Sequence, residues 1–312
     1  MASETSAKRI DMTTGSIWKC LVSFAIPVFI GHLFQQLYNT ADSIIVGNFV
    51  GKEALAAVSS SGNLIFMMTG FFMGLCMGAG VIISRYLGAK EYEKMQHTIH
   101  TAVAFGLCCG ITLSVLGLWL APKLLIMMKT PENVLPLSTT YFRIYFFGSF
   151  FSLTYNVCAG ILQAVGDSKS PLRFLITASI TNIILDLVFV GIFDFGVAGA
   201  AIATVISQML SAVLGFRKLL KSEGYYQLHL SKIRFDFVRL KEILHQGIPS
   251  GINNSIISIA NVVVQSNINA FGDTAMAGCG SYSKIEGFIF IPIMSFAMAI
   301  TTFIGQNLGA GN

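Results

Sequence analysis

From Ala54 to Ser84 the chain runs for 31 residues without one formal charge. A helix of that composition has no face to offer water, so this stretch constrains the fold more than any other feature. About 20 apolar residues suffice for a helix to cross the ~30 Å hydrocarbon core of a bilayer. At about 1.5 Å per residue this segment is longer than the core, which predicts tilt or extension beyond it. The same reading along the chain predicts eight spans, at about 16–47, 54–87, 95–121, 135–163, 171–193, 197–219, 245–270 and 274–308. Apolar residues make up 54% of the chain, charged residues 11%, and the mean hydropathy is +0.70. That is too little charge to cover a water-soluble surface, so the expected class is an all-α polytopic membrane protein.

The basic residues lie between the apolar runs. With the N-terminus placed inside, fifteen of the 20 Lys and Arg fall on inner segments, among them Lys8, Arg9, Arg85, Lys94, Arg217 and Lys241. The outer loops hold only Lys52, Lys123 and Lys129, while Arg143 and Lys284 fall within spans. This bias predicts a cytoplasmic N-terminus in a multi-pass plasma-membrane protein, with residues 1–15 as a cytoplasmic tail. A net charge of +5 distributed in this way reflects topology, and nucleic acid is not an expected partner. Residues 222–244 mix Tyr225, Tyr226 and Phe235 with Lys232, Arg234 and Arg239, and are expected to form an interfacial linker with a short amphipathic helix. Cys20, Cys76, Cys108, Cys109, Cys158 and Cys279 show no metal-like spacing and read as small packing residues.

The two ends of the sequence repeat one another. Gly51, Ala54, Ala56, Leu87, Gly88 and Ala89 return 221 residues later as Gly272, Ala275, Ala277, Leu308, Gly309 and Ala310. Further upstream the offset is 222, where Ile26-Pro27 matches Ile248-Pro249 and Asn39 matches Asn261. A unit of that length holds six spans. An even number returns the chain to its starting side, so the repeats are parallel and related by an axis along the membrane normal. In transporters that arrangement encloses a cavity between two lobes that rock against each other. The expected organisation is a first lobe at 16–221, the linker at 222–244, and the first two helices of a second lobe at 245–312. Two complete units need about 440 residues, so the chain reads as a fragment of a longer protein.

Five formal charges fall inside spans: Asp42, Arg143, Asp186, Lys284 and Glu286. Placing a charge at a helix centre costs about 2.5–3.5 kcal/mol, so each is a functional hypothesis. Gln35, Tyr38, Asn39 and Asp42 share a face of span 1 at helical spacing. Asn182 and Asp186 are one turn apart on span 5, with Ser179 a turn earlier. Thr204, Ser207, Gln208 and Ser211 form a stripe on span 6. Three such stripes can enclose a polar pocket whose carboxylate, amide and hydroxyl oxygens suit Na+ or a proton equally well. The bland reading is that they only join helices by hydrogen bonds. Under the repeat, position 42 falls on Val264 or Val263, so this acid is not duplicated, which favours a specialised site in one lobe. Glu286 is expected on the second lobe's side of the cavity, where a carboxylate attracts cations. Pro27 and Pro249 should kink or break the hydrogen-bond ladders of spans 1 and 7, making Pro27 a candidate hinge.

No phosphate loop of the GxxxxGK[ST] type, no HExxH and no enzyme signature occurs, so an ion gradient would have to supply the energy and no cofactor is expected. Taken in order, "FAIP" at 24–27, "LYNTADSIIVGNFVG" at 37–51, "SRYLGA" at 84–89, "LQAVGDSKSP" at 162–171, "GVAGAAIAT" at 196–204, "GIPSG" at 247–251 and "GQNLGAG" at 305–311 make the chain resemble the MATE (multidrug and toxic compound extrusion) transporters, in particular their DinF-like and MepA-like branches. The resemblance implies a two-lobe, twelve-span antiporter, monomeric when complete, that exports organic cations and amphipathic drugs in exchange for Na+ or H+. It implies a cation site at Asp42, Asn182, Asp186 and Thr204 supported by Tyr141, a span 1 that bends at Pro27, and an acid on span 8 at Glu286. The alternatives are a flippase for lipid-linked precursors or polysaccharide, which tends to have a more basic cavity, and a passive channel or non-transporting scaffold.

Overall fold

The computed structural model describes the backbone of residues 10–127, 132, 134–222, 224–269 and 273–312. Side chains are described for these residues apart from 52, 56, 59–64, 121, 127, 262, 265–266, 268–269 and 273–285. Among the described residues eight long helices follow one another: α1 (Ile17–Phe49), α2 (Lys52–Gly88), α3 (Tyr92–Met127), α4 (Leu135–Ala164), α5 (Lys169–Asp186), α6 (Gly196–Leu220), α7 (Phe237–Asn269) and α8 (Asp273–Ala310). Among the described residues, seven of them are long and apolar enough to cross a membrane. The exception is α7, whose middle carries Asn253, Asn254, Ser255, Ser258 and Asn261. Some of these groups are satisfied within the bundle or by their own helix. Asn254 donates to the Gly70 carbonyl on α2 at 3.1 Å, and the Ser258 hydroxyl donates to the Asn254 carbonyl at 2.7 Å.

Local chemistry sets the helix boundaries. In "AVGDSKSP", Gly166 takes a φ of +84°, a conformation that costs a side-chain-bearing residue energy. The buried Asp167 carboxylate then accepts the Ser170 N–H at 2.9 Å and the Ser170 hydroxyl at 2.6 Å, satisfying a donor that the start of α5 would leave orphaned. At the other end of the linker, Asp236 accepts the Val238 and Arg239 N–H groups at 3.0 and 3.3 Å. This cap starts α7 at Phe237, eight residues before the predicted span. The amphipathic helix expected in the linker is thus the first turns of α7, preceded by a single 3-10 turn at Leu230–Lys232. Neither proline ends its helix. Pro27 and Pro249 lie inside α1 and α7, and both helices are continuous across them, losing one backbone donor apiece rather than breaking. Lys284 and Cys279 lie outside the described side chains.

The largest core joins α2, α3 and α4 through Ile83, Ile99, Phe142, Phe146 and Leu162. A second cluster gathers Ile45 and Val46 of α1, Tyr141 of α4, Val190, and Ala200 and Ala201 of α6. α7 packs on α2, and α8 on both α1 and α2. Glycines permit the α2–α7 contact: a Cβ on Gly78 would stand 2.6 Å from the Gly247 nitrogen, and one on Gly247 2.7 Å from the Leu75 carbonyl oxygen. The pair that corresponds to Gly78 and Gly247 under the repeat is Ala299 and Ala25, both buried in the α1–α8 cluster.

The two Leu-Gly-Ala motifs meet. A Cβ on Gly88 would collide with the Gln306 carbonyl, and one on Gly309 with that of Arg85. Arg85 and Gln306 are themselves 221 residues apart, so each repeat presents the same surface to the other. That reciprocity is the mark of a two-fold interface, and it places the axis of the parallel repeat at the crossing of α2 and α8.

Candidate functional site

The helix order brings α1, α4, α5 and α6 together around the predicted acids. Asp42, Asn182 and Asp186 are only 6%, 1% and 0% exposed. Asp42 and Asp186 are close enough to interact electrostatically, and the buried Tyr141 feels both. Thr204 is buried on α6, one turn beyond Ala200 and Ala201, which pack in the Tyr141 cluster. Four helices therefore contribute to one polar focus inside an apolar bundle.

Hydrogen bonding separates the members of each stripe. Ser179 donates back to the Leu175 carbonyl at 2.7 Å, Ser207 to Ala203 at 2.8 Å and Ser211 to Ser207 at 3.1 Å. These hydroxyls are satisfied by their own helices, a common arrangement for Ser in a helix interior. The amides and acids are not. Asp42 Oδ1, both polar atoms of the Asn182 amide, both carboxyl oxygens of Asp186 and Gln208 Oε1 are buried with no hydrogen-bond partner in the protein. Among the described residues only Ser138 and Ser168 share that condition, so the orphaned atoms concentrate at this focus. A buried carboxylate without a partner costs several kcal/mol. A site of this kind has a chemical requirement that a proton or a hard cation would meet, and its donors are all oxygens apart from one amide nitrogen.

Other predicted residues are placed less centrally. Gln35 and Tyr38 interact with each other, and Tyr38 also feels Asp42 and Asp186. Asn39 is exposed, its carbonyl accepting the Ser43 hydroxyl at 3.0 Å. Glu286 is half-buried on α8 beside Gly287, the residue that faces Gln36 of α1. Arg143 is exposed. A cavity of about 490 Å³ lies away from these acids, lined by Arg85, Tyr86, Lys94, Glu242 and His245.

Three features escaped the sequence reading. Gln208 stood in the α6 stripe without being chosen, and only its orphaned oxygen separates it from the serines around it. Tyr145, whose side chain is within hydrogen-bonding reach of Gln208, stacks on Tyr141 with ring centroids 6.3 Å apart. The i, i+4 spacing of the two tyrosines was a usable signal. The chain also leaves α5 through a π-helical turn, Leu187–Ile192, directly after Asp186. Such turns interrupt the α ladder and are frequent at functional sites. No residue pattern in "LVFVGI" announces it.

The MatE family model matches residues 27–188 and 249–312. "Probable multidrug resistance protein YpnP" of Bacillus subtilis (strain 168) is 32% identical over 311 residues, a match covering 98% of this chain and 68% of that protein. A MOP superfamily transporter from Pyrococcus furiosus Vc1 superposes with a TM-score of 0.90 at 30% identity, over 98% of this chain and 68% of that one. A multidrug resistance MATE family transporter solved in an outward-facing conformation gives the same figures. The chain thus spans about two thirds of the length of these relatives.

Proposed function

This chain belongs to the MatE family, and we propose that the protein it forms exports amphipathic organic cations and related drugs across the plasma membrane, exchanging them for Na+ or H+ by alternating access. The observation that carries the reading is the group of buried, unpartnered acids, Asp42 and Asp186 together with Asn182. A membrane bundle that tolerates such a cost needs a species to bind there, and a small cation that comes and goes would couple two states of the bundle. Thr204 and Tyr141 would complete the cation's surroundings, with Gln208 as a further oxygen. Gln35, Tyr38, Asn39 and Glu286 would face the drug, where their polarity and Glu286's charge favour cationic ligands. Pro27, which leaves α1 one hydrogen bond short, would let that helix flex above Asp42. The distribution of Lys and Arg supports a cytoplasmic N-terminus.

The test is transport by the full-length protein in vesicles. An imposed Na+ or pH gradient should drive ethidium uphill, and replacing Asp42 or Asp186 by Asn should reduce that movement to background. Undiminished extrusion in both variants would remove the site. Downhill movement alone, indifferent to either gradient, would point to a passive channel.

A further inference from the structure

The segment that leads into α1 is clamped by the far end of the chain. Met12 donates its N–H to Gln306 Oε1 at 3.2 Å, and its carbonyl accepts Asn307 Nδ2 at 2.9 Å. Gln306 also donates through Nε2 to the Ala164 carbonyl at 3.0 Å, and the Ile10 N–H donates to the Gly166 carbonyl at 3.3 Å. The Met12 side chain is 1% exposed and packs with Phe24, Val28 and Ala299. One short strand of backbone therefore ties the last turns of α8 to the turn between α4 and α5, and Gln306 and Asn307 provide both sides of the tie. These bonds lie at the end of the bundle where Gly88 and Gly309 hold α2 and α8 in backbone contact.

The corresponding point in the other repeat is also secured, but by different chemistry. The 222-residue offset carries Met12 to Arg234, whose carbonyl accepts the Thr101 hydroxyl at 3.4 Å, while the Asp236 N–H donates to Thr101 Oγ1 at 3.1 Å. There the clamp comes from α3, and an ionisable pair, His97 and Asp236 at 3.2 Å, stands beside it. On the α1 side the bonds across the repeats are made by the neutral amides of Gln306 and Asn307, while the Asp11 carboxylate accepts the Thr13 N–H within the segment. Both entry segments cross from one repeat to the other, so separating the repeats at this end requires both to let go.

We propose that residues 10–12, gripped by Gln306 and Asn307, form a latch that holds the bundle closed at its N-terminal end, and that releasing this latch is a required step in opening to that side. The proposal rests on the alternating-access reading. Once α8 moves away from the α4–α5 turn, the Gln306–Ala164 bond must break, and residues 10–12 cannot stay bonded to both Gly166 and α8. Such a device weights the closed state without contributing to the cation or drug site.

The experiment is a distance measurement in the full-length protein between nitroxide labels at Lys169, on the α4–α5 side, and Ala310, at the end of α8; both positions are exposed. In Gln306→Ala combined with Asn307→Ala, the ratio of open to closed populations should rise roughly tenfold. Gln306→Glu, which keeps the acceptor for Met12 but not the donor for Ala164, should fall between that variant and the parent. Deleting residues 1–12 should shift the ratio the same way but by less, because the Gln306–Ala164 bond remains, and adding Asn307→Ala, whose bond across the repeats is to Met12, should add nothing to the deletion. The deletion leaves all eight helices whole, so it decides the matter if the double variant fails to fold. An unchanged distance distribution in the deletion would overturn the latch even if drug export stood. Absence of gradient-driven export by the parent protein, together with the expected shift, would overturn the transport reading and leave the latch intact.

Discussion

Asp186 is fully buried, and neither of its carboxyl oxygens has a protein donor within hydrogen-bonding range. This separates two roles that look alike in a sequence. A polar residue that joins helices is satisfied in the folded state, and removing it lowers stability by about 1–3 kcal/mol. An acid kept for a mobile ion is unsatisfied, and removing its charge relieves a desolvation cost. Asp42→Asn and Asp186→Asn should therefore unfold at the same temperature as the parent or higher, in a thermal-shift assay in detergent, while losing ion-coupled export. A marked fall in unfolding temperature would assign the acids to packing instead. Asp42, Asn182, Asp186 and Thr204 were legible as candidates because intramembrane polarity at helical spacing is rare. Their relative standing was not: Ser207 and Gln208 are neighbours in the same stripe, and only the fold decides that one bonds its own helix while the other keeps an orphaned amide oxygen.

Among the helices, the tightest contacts involve residues with no side chain at all. Gly78 and Gly247 bring α2 and α7 together so closely that any added carbon would strike backbone, which cannot move aside as a side chain does. Gly247→Val should cost about 1–3 kcal/mol by overpacking. Gly160, with nothing within 4 Å of where a Cβ would stand, is the control on α4. Gly160→Ala should stabilise the protein by up to about 1 kcal/mol through helix propensity. Unfolding temperatures of the two variants check the pair, and equal effects would contradict the packing described. Helix existence was plain from hydropathy, whereas helix ends were not. Hydropathy marks where the chain leaves lipid, but the start of α7 is set by a cap at Asp236, which lies outside the apolar run.

For the whole molecule, the arrangement of charge predicts sidedness. A membrane-impermeant thiol reagent applied to intact cells should label Lys123→Cys and not Lys221→Cys in a cysteine-free background; the reverse pattern would invert the topology. Both positions are exposed, and Lys123 lies over the Trp119 ring at 4.0 Å, the pairing of base and aromatic expected near an interface. The sequence alone determined the solvent of this protein, the number of its long helices and the six-span period of its repeat. Each of these follows from local composition or from self-similarity, which need no knowledge of which helix touches which. Tertiary structure alone decided that the repeated Leu-Gly-Ala motifs face each other across the axis, that Met12 is held by Gln306 and Asn307, and that the orphaned oxygens gather from three helices. Those are contacts between residues as much as 295 positions apart. Spacing along one helix encodes its face, but the partner of that face is chosen by packing, where backbone approach and unpaired polar groups set the energy.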